Sequence, residues 1–407
     1  MGKLTGHIHF WLSITIVALM PVWKKAIPGF IILLFINWLI ARFVRGFPPR
    51  NNLAITILLV GFYGLHALGL HNTEDMTNGF FELEVKLSFL ALPIIYGFTT
   101  PFRPKQIRRM LEFFVGGVVV ANLYCLGNST YLYFTETAKA FQFFGPYYSK
   151  IMHLGYAALY LNFAIVCLVA LWAYFGDRYQ RWMKVLMAVL IIWFSFAVIQ
   201  TSSKNGILTL LLLYPAIGTY IIIKKRKIKQ GLIGMACAVL AIVGLLVASP
   251  RTFYRFEVMW EAITQAEFEK TSTESTALRL FAWDSALELI GENPVLGVGT
   301  GDAGDALIAR YEENGYTGAL EKKINAHSQF FQTGVALGVT GLVWLVLLFA
   351  VITRVAWKFR KRVLGLFVLI MMIYALTEAV FEVQAGVVFF VFWVCMLTYS
   401  IPRLGKR

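Results

Sequence analysis

TALRLFAWDSALELIGENPVLGVGTGD (Thr276–Asp302) and INAHSQFFQTGVALGVTG (Ile324–Gly341) belong to a polar segment from about Ser249 to His327. This segment interrupts an otherwise almost continuous series of apolar runs, and reading it as an extramembrane insertion between spanning helices decides the fold. A chain that is 58% hydrophobic and 14% charged over 407 residues, with a mean hydropathy of +0.68, is too apolar for a soluble domain. A spanning helix needs roughly 20 mostly apolar residues, and about twelve such runs fit between His7 and Ile401. The expectation is an all-α polytopic membrane protein of about twelve transmembrane helices, with one large segment outside the cytoplasm between helices 9 and 10. Three parts follow: residues 1–248 with helices 1–9, residues 249–327 as a helical segment holding the site residues, and residues 328–407 with helices 10–12.

The first run, HFWLSITIVALM, follows Lys3, lacks an A-x-A-like cleavage site, and is succeeded at once by another apolar run from Ile27. It reads as a retained helix. Cys125, Cys167, Cys237 and Cys395 all fall inside apolar runs without metal-ligand spacing, as small packing residues do. The formal charge of +15 is divided among short basic clusters between apolar runs, including Arg42, Arg45 and Arg50; Arg103, Lys105, Arg108 and Arg109; Lys224 to Lys229; and Arg354 to Arg362. That pattern is membrane topology, not nucleic-acid binding. With the amino terminus inside, these clusters land on the cytoplasmic face and both termini are cytoplasmic. Lys24 and Lys25 are the outward exception. Ser249 to His327, with 13 of the 22 acidic residues, falls outside.

Several polar residues stand at the outer ends of the expected helices. The fourth run opens FFELEVKLSFLALPII, where Glu82 and Lys86, one turn apart, either pair with each other or offer Lys86 to a substrate. QTSSKNG presents Lys204 beside Thr201, Ser202, Ser203 and Asn205 at a helix opening. A lone lysine there is most often an anchor at the interface, but hydroxyls and free N–H groups beside a cation also suit a phosphate. RTFYRFEVMWEAITQAEF has helical spacing at Phe253, Phe256, Met259, Trp260 and Ile263, and a second amphipathic helix is expected over Thr276 to Ile290. On the latter, Arg279 and Trp283 are one turn apart. They offer a guanidinium to phosphate and an indole face to sugar, or are a surface arginine stacked on its neighbour. The glycines of GENPVLGVGTGD follow no strand, so a nucleotide site is not implied and the loop is expected only to turn tightly or approach a ligand. His327 opens a helix through Val351 in which Gly334, Gly338 and Gly341 would admit another helix. Glu378 and Glu382 at the last outer turn either neutralise the site's cations or form an ordinary helix-end pair.

Two cations and a histidine on one face suit displacement of a phosphorylated leaving group by a hydroxyl. Lys204 and Arg279 would stabilise charge developing on a diphosphate, and an imidazole, which titrates near neutrality, would accept the proton of the attacking hydroxyl. No metal and no cofactor is expected, and neither nucleic acid nor nucleotide is an expected partner. S-K-N-G opening a helix, R-x-x-x-W followed by E-N-P-x-L-G-x-G-x-G, and H-S-Q with ten residues between His327 and Gly338 resemble the O-antigen ligase and polymerase superfamily over roughly Gln200 to Gly341. The amino-terminal half matches it only through helix count and the E-V-K-L-S-F-L run.

The resemblance implies a GT-C-like membrane fold and an inverting, metal-independent glycosyltransferase. It would act at the periplasmic face of the bacterial inner membrane on an undecaprenyl-diphosphate-linked glycan donor. The family's functional histidine falls on His327 and its arginine before tryptophan on Arg279. Arginine is usual where this chain has Lys204, and a lysine offers a point charge instead of a bidentate fork. The catalytic candidates are therefore His327 and Arg279. Lys204 and Arg279 are the diphosphate candidates, with Trp283, Lys86 and Glu378 as possible sugar-binding or supporting residues. O-antigen ligase, with lipid A–core as acceptor within lipopolysaccharide biosynthesis, is the favoured reading. The alternatives are the polymerase, with a lipid-linked repeat as acceptor, a protein O-oligosaccharyltransferase, and a lipid-linked glycan transporter. A transporter would place ionisable residues near the midplane in two related halves, and no such repeat is evident.

Overall fold

A computed structural model describes residues 2–46, 52–135, 142–225, 228–247 and 268–400, together with 253–254 and 257. All regular structure among them is helical. In chain order the helices are α1 (Gly2–Leu19), α2 (Ile27–Arg45), α3 (Leu53–Leu68), α4 (Met76–Lys86), α5 (Ser88–Gly97), α6 (Pro104–Thr135), α7 (Leu154–Phe175), α8 (Arg181–Gln200), α9 (Lys204–Lys225) and α10 (Ile228–Val247). They continue with α11 (Ser275–Glu292), α12 (Ala303–Glu313), α13 (Thr317–Lys322), α14 (Gln329–Lys358), α15 (Arg362–Thr377) and α16 (Gln384–Tyr399). The helix expected around Phe253 to Ile263 lies largely outside the described residues.

The bundle is built around α16, QAGVVFFVFWVCMLTY, in which every residue from Ala385 to Tyr399 is buried. A helix apolar all round has no face to give to water and is stable only when neighbours enclose it. Here α5, α14 and α15 pack on it, and Phe114 of α6, Phe163 of α7 and Phe367 of α15 interlock with Phe389 and Trp393 as edge-on and tilted rings. The outer helices turn apolar residues such as Ile32, Phe43, Ile57, Ile192 and Val346 outwards, as a lipid-facing surface requires. Cys125, Cys167 and Cys395 are free and buried.

The expectation of about twelve spanning helices does not stand. Six helical stretches among the described residues are long and apolar enough to cross a membrane: Lys24–Val44, Leu53–Asn72, Pro104–Thr135, Leu154–Arg178, Arg181–Gln200 and Gln329–Lys358. The fourth expected span is divided at Leu87 into α4 and α5, of 11 and 10 residues, with Pro93 inside the second. The apolar helices Leu4–Leu19, Arg362–Thr377 and Gln384–Tyr399 are shorter than spans; a 16-residue helix is about 24 Å long against an apolar core of about 30 Å. Nor does the all-α arrangement supply a GT-C-like feature among the described residues, so that expectation falls with the count. The chain remains a polytopic membrane protein by its long apolar helices.

One feature of α14 fixes how the polar segment docks. At Gly338 the helix leaves helical geometry (φ 61°, ψ −156°), which frees peptide groups that an unbroken helix would pair internally. The loop Pro294–Thr300 takes them up: the N–H groups of Val298 and Gly299 donate to the carbonyls of Val335 (2.9 Å) and Ala336 (3.1 Å), and the Val339 N–H donates to Pro294 O at 2.7 Å. Gly297 (φ 69°) lies so close that an added Cβ would sit 2.5 Å from the backbone of Ala336 and Leu337. What the small residue at Gly338 admits is thus a loop and not another helix. The far side of the same loop holds the start of α4, because the Asp302 carboxylate accepts the N–H groups of Glu74 (2.7 Å) and Asp75 (2.8 Å).

Candidate functional site

The polar end of the bundle gathers the helix openings of α9, α11 and α14 around the turn between α15 and α16. Ser203 precedes α9 and its hydroxyl accepts the Gly206 N–H at 3.2 Å, an ordinary N-cap. Thr201, Ser202 and Ser203 are buried, so the hydroxyls that precede Lys204 support this turn instead of lining an open phosphate site. Lys204 Nζ donates to Glu274 Oε1 at 2.7 Å and to Thr276 Oγ1 at 2.9 Å. Glu274 caps α11 in turn, accepting from the N–H groups of Thr276 (2.5 Å) and Ala277 (3.3 Å). Burial raises its pKa, but the hydrogen bond and charge of Lys204, with the α11 N–H groups, outweigh burial and hold the carboxyl down at about 2.

One turn into α11, Arg279 is held by all three of its nitrogens. Nε donates to Thr377 O (3.2 Å), one terminal nitrogen to Ser275 O (2.9 Å), and the other to Glu378 Oε1 at 2.6 Å. The second oxygen of Glu378 stands 3.4 Å from His327 Nδ1, and Asn205 Nδ2 reaches Oε1 at 3.4 Å. Glu378 therefore bridges Arg279 and His327, and Asn205 joins the opening of α9 to the same carboxylate. Burial works against its ionisation, yet His327 and Arg279 hold its carboxyl below the ordinary value. His327 itself lies in the left-handed region (φ 45°), uncommon for a residue with a side chain. Asn325 Oδ1 accepts its N–H at 3.0 Å and Gln332 Oε1 accepts that of Ala326 at 3.0 Å, which pins the turn before α14.

The structure thus brings Arg279 and His327 onto one carboxylate and sets Lys204 against the first turn of α11. Lys86 it places apart: 1% exposed, its Nζ is clamped between Glu82 Oε2 (2.5 Å) and Glu382 Oε2 (2.9 Å). Gln329 Nε2 donates to the other Glu382 oxygen at 3.3 Å. Of the two readings open for Lys86, pairing is what the geometry contains, with Glu382 as an additional partner. The two glutamates of one turn are divided, Glu378 to the Arg279–His327 group and Glu382 to Lys86. Trp283 packs on Phe331 with ring centres 5.8 Å apart, and its buried Nε1 has no hydrogen-bond partner among the described residues. Glu274 was not anticipated, and Asn205 was anticipated only as a neighbour of Lys204, not as a partner of Glu378. An acidic residue directly before S-T at the start of an amphipathic helix is a readable N-cap signal, but its pairing with Lys204 spans 70 positions. Among the described residues no group of three or more His, Cys, Asp or Glu is disposed to hold a metal ion.

At the polar end of this helical bundle, a half-buried carboxylate joins an arginine and a histidine. Residues 189–346, less than half of the chain, match the family described as O-Antigen ligase. The matched stretch contains Lys204, Arg279, Trp283 and His327 but neither Lys86 nor Glu378. No curated protein matches the chain.

Proposed function

We propose that the protein is an O-antigen ligase: at the periplasmic face of the bacterial inner membrane it transfers a glycan, with inversion, from undecaprenyl diphosphate to a sugar hydroxyl of lipid A–core. The observation that carries this reading is the Arg279–Glu378–His327 bridge. With Nδ1–H of His327 turned to Glu378, Nε2 is the basic nitrogen, and the carboxylate stabilises the imidazolium that forms when Nε2 takes a proton. A separation of 3.4 Å is long for a hydrogen bond, and such contacts often tighten only with substrate in place.

In the transfer, the acceptor hydroxyl oxygen bonds to the anomeric carbon as the bond from that carbon to the phosphate oxygen breaks. The electron pair leaves on the diphosphate and the hydroxyl proton goes to His327. Arg279 carries five N–H donors, of which its contacts use three; the other two remain for the diphosphate, whose developing charge the guanidinium stabilises. Lys204 adds a second cation, and Trp283 a face for sugar. Glu274 and Glu378 balance these charges while no donor is bound, so that neither cation is held unpaired.

The test is sizing of surface lipopolysaccharide and of the undecaprenyl-linked pool in cells deleted for the gene and restored with the native chain or with His327→Ala. Long glycans on undecaprenyl diphosphate over bare lipid A–core are expected with His327→Ala. Accumulation of single repeat units would make the protein a polymerase instead. Full ligation by His327→Ala would remove the mechanism.

A further inference from the structure

A polar cavity lies at the other end of the bundle. From the turn that carries Glu382, α16 runs about 24 Å to Tyr399 and Ser400, which share a crevice with Thr99, Thr100 and Phe102. Beside that crevice is a cavity of about 320 Å³ whose walls come from α1, α2 and the α5–α6 connection. His9, Asn37, Arg42, Thr100, Arg103 and Gln106 are among its lining residues, and none of the lining residues is acidic. Arg42 and Arg103 belong to the first two basic clusters of the sequence, which topology alone would leave as solvated charges.

Three independent features make this cavity more than a gap between basic loops. The first is His9, 5% exposed and fixed by ring contacts with Tyr96 (centroids 5.4 Å apart) and Phe102 (5.8 Å). Its Nε2 is buried with no hydrogen-bond partner among the described residues, an arrangement that costs free energy unless something else supplies the partner. The second is the amino terminus of α6, a helix of 32 residues whose first-turn peptide dipoles favour an anion. Gln106 Oε1 takes up the Arg103 N–H at 2.9 Å and fixes that terminus at the cavity. The third is the pair of guanidinium-bearing residues, the side chain suited to bidentate contact with phosphate oxygens. Asn37, which donates to Thr5 O at 3.1 Å, ties α2 to α1 in the same wall.

We infer that this cavity binds one phosphate group between Arg42, Arg103 and His9, supplied by the headgroup of an anionic phospholipid or by free phosphate. The site sits at the end of the bundle that carries basic clusters, where anionic headgroups concentrate. It is distinct from the Arg279–His327 group and does not depend on the reaction proposed there.

The test is native mass spectrometry of the full-length protein in detergent, titrated with phosphatidylglycerol, with diacylglycerol lacking the phosphate, and with inorganic phosphate alone or as competitor. Phosphatidylglycerol is expected to bind at least tenfold more tightly than diacylglycerol, and Arg42→Gln combined with Arg103→Gln to weaken it about tenfold or more. His9→Phe keeps the aromatic wall, removes Nε2 and is expected to weaken binding severalfold; it carries the same test if the arginine variant does not fold. Displacement of the lipid by millimolar inorganic phosphate, or binding of inorganic phosphate alone, identifies free phosphate as an occupant. Lipid binding that inorganic phosphate does not displace identifies the headgroup. Equal binding of phosphatidylglycerol and diacylglycerol, or native affinity in the variants, overturns the proposal.

Discussion

Glu378→Gln is the most informative single change, because it keeps the shape of the bridge and removes only its charge. Oε2 of Glu378 is 3.4 Å from His327 Nδ1. At that distance a pair of unit charges interacts by ~5 kcal/mol at an effective dielectric of about 20 and by ~2.5 kcal/mol at about 40. The two side chains are 21% and 27% exposed, so solvent reaches both and the lower figure is the better guide. A loss of ~2.5 kcal/mol in the transition state, where the imidazole has taken up a proton, corresponds to roughly 70-fold in kcat. The assay is turnover of a lipid-linked glycan donor onto purified lipid A–core by detergent-solubilised protein, with kcat and KM measured separately. A positioning role predicts that kcat falls far more than KM changes. It also predicts that Glu378→Gln adds little once His327→Ala is in place, because residues that act as a unit are non-additive. Retention of more than half of the native kcat would refute the reasoning. So would a double variant whose loss equals the product of the two single losses, since Glu378 would then act independently of His327.

His327→Ala itself is expected to lower turnover by ~10²–10⁴, the usual worth of a general base, with the protein still inserted and folded. Gly297→Ala forces a side chain onto the backbone of Ala336 and Leu337 at a position with φ 69°, and a loss of about 2 kcal/mol or more is expected; thermal unfolding in detergent reads it. Lys86→Met leaves Glu82 and Glu382 without their shared cation in a site where the lysine is 1% exposed. About 3–5 kcal/mol of destabilisation is expected, with partial recovery when Glu382→Gln is added, again by thermal unfolding. The Lys204–Glu274 pair has a defined pH signature. Glu274 titrates near 2 when folded, against about 4.5 unperturbed, so the unfolded chain binds the extra proton between those values. The pair's contribution is complete above pH about 4.5 and is lost as pH falls towards 2. Unfolding midpoints of native and Glu274→Gln protein should therefore differ at pH 6 and converge only as the pH falls below about 2.

Local signals read well in this chain. The apolar runs near Met110–Tyr133, Ile151–Phe175, Trp182–Ile199, Leu364–Val380 and Gly386–Tyr399 place the cores of α6, α7, α8, α15 and α16, with ends shifted by a few residues, and α11 follows the amphipathic spacing of Leu278, Phe281, Ala282 and Leu289, all buried. Run length failed as a count of spans: one apolar run is divided at Leu87 into two short helices, and three more apolar helices stop short of a bilayer's thickness. The glycines of Gly297–Gly301 were legible as a tight loop. Their use, receiving peptide groups freed at Gly338, depends on a segment some 40 positions away.

By itself the sequence determined that this is a helical membrane protein, that one long polar segment interrupts its apolar runs, and that Lys204, Arg279 and His327 stand at helix openings. These follow from composition, from 3.6-residue periodicity and from residue type, all of which act over a few turns of chain. Only the tertiary structure decided which charges meet: Arg279 with Glu378 across 99 positions, Lys86 with Glu382 across 296, and Lys204 with Glu274 across 70. It also decided that His9, Arg42 and Arg103 wall one cavity. An ion pair is specified by distance and burial, and in a bundle of helices those are set by how distant helices pack on one another, which no short window of sequence contains.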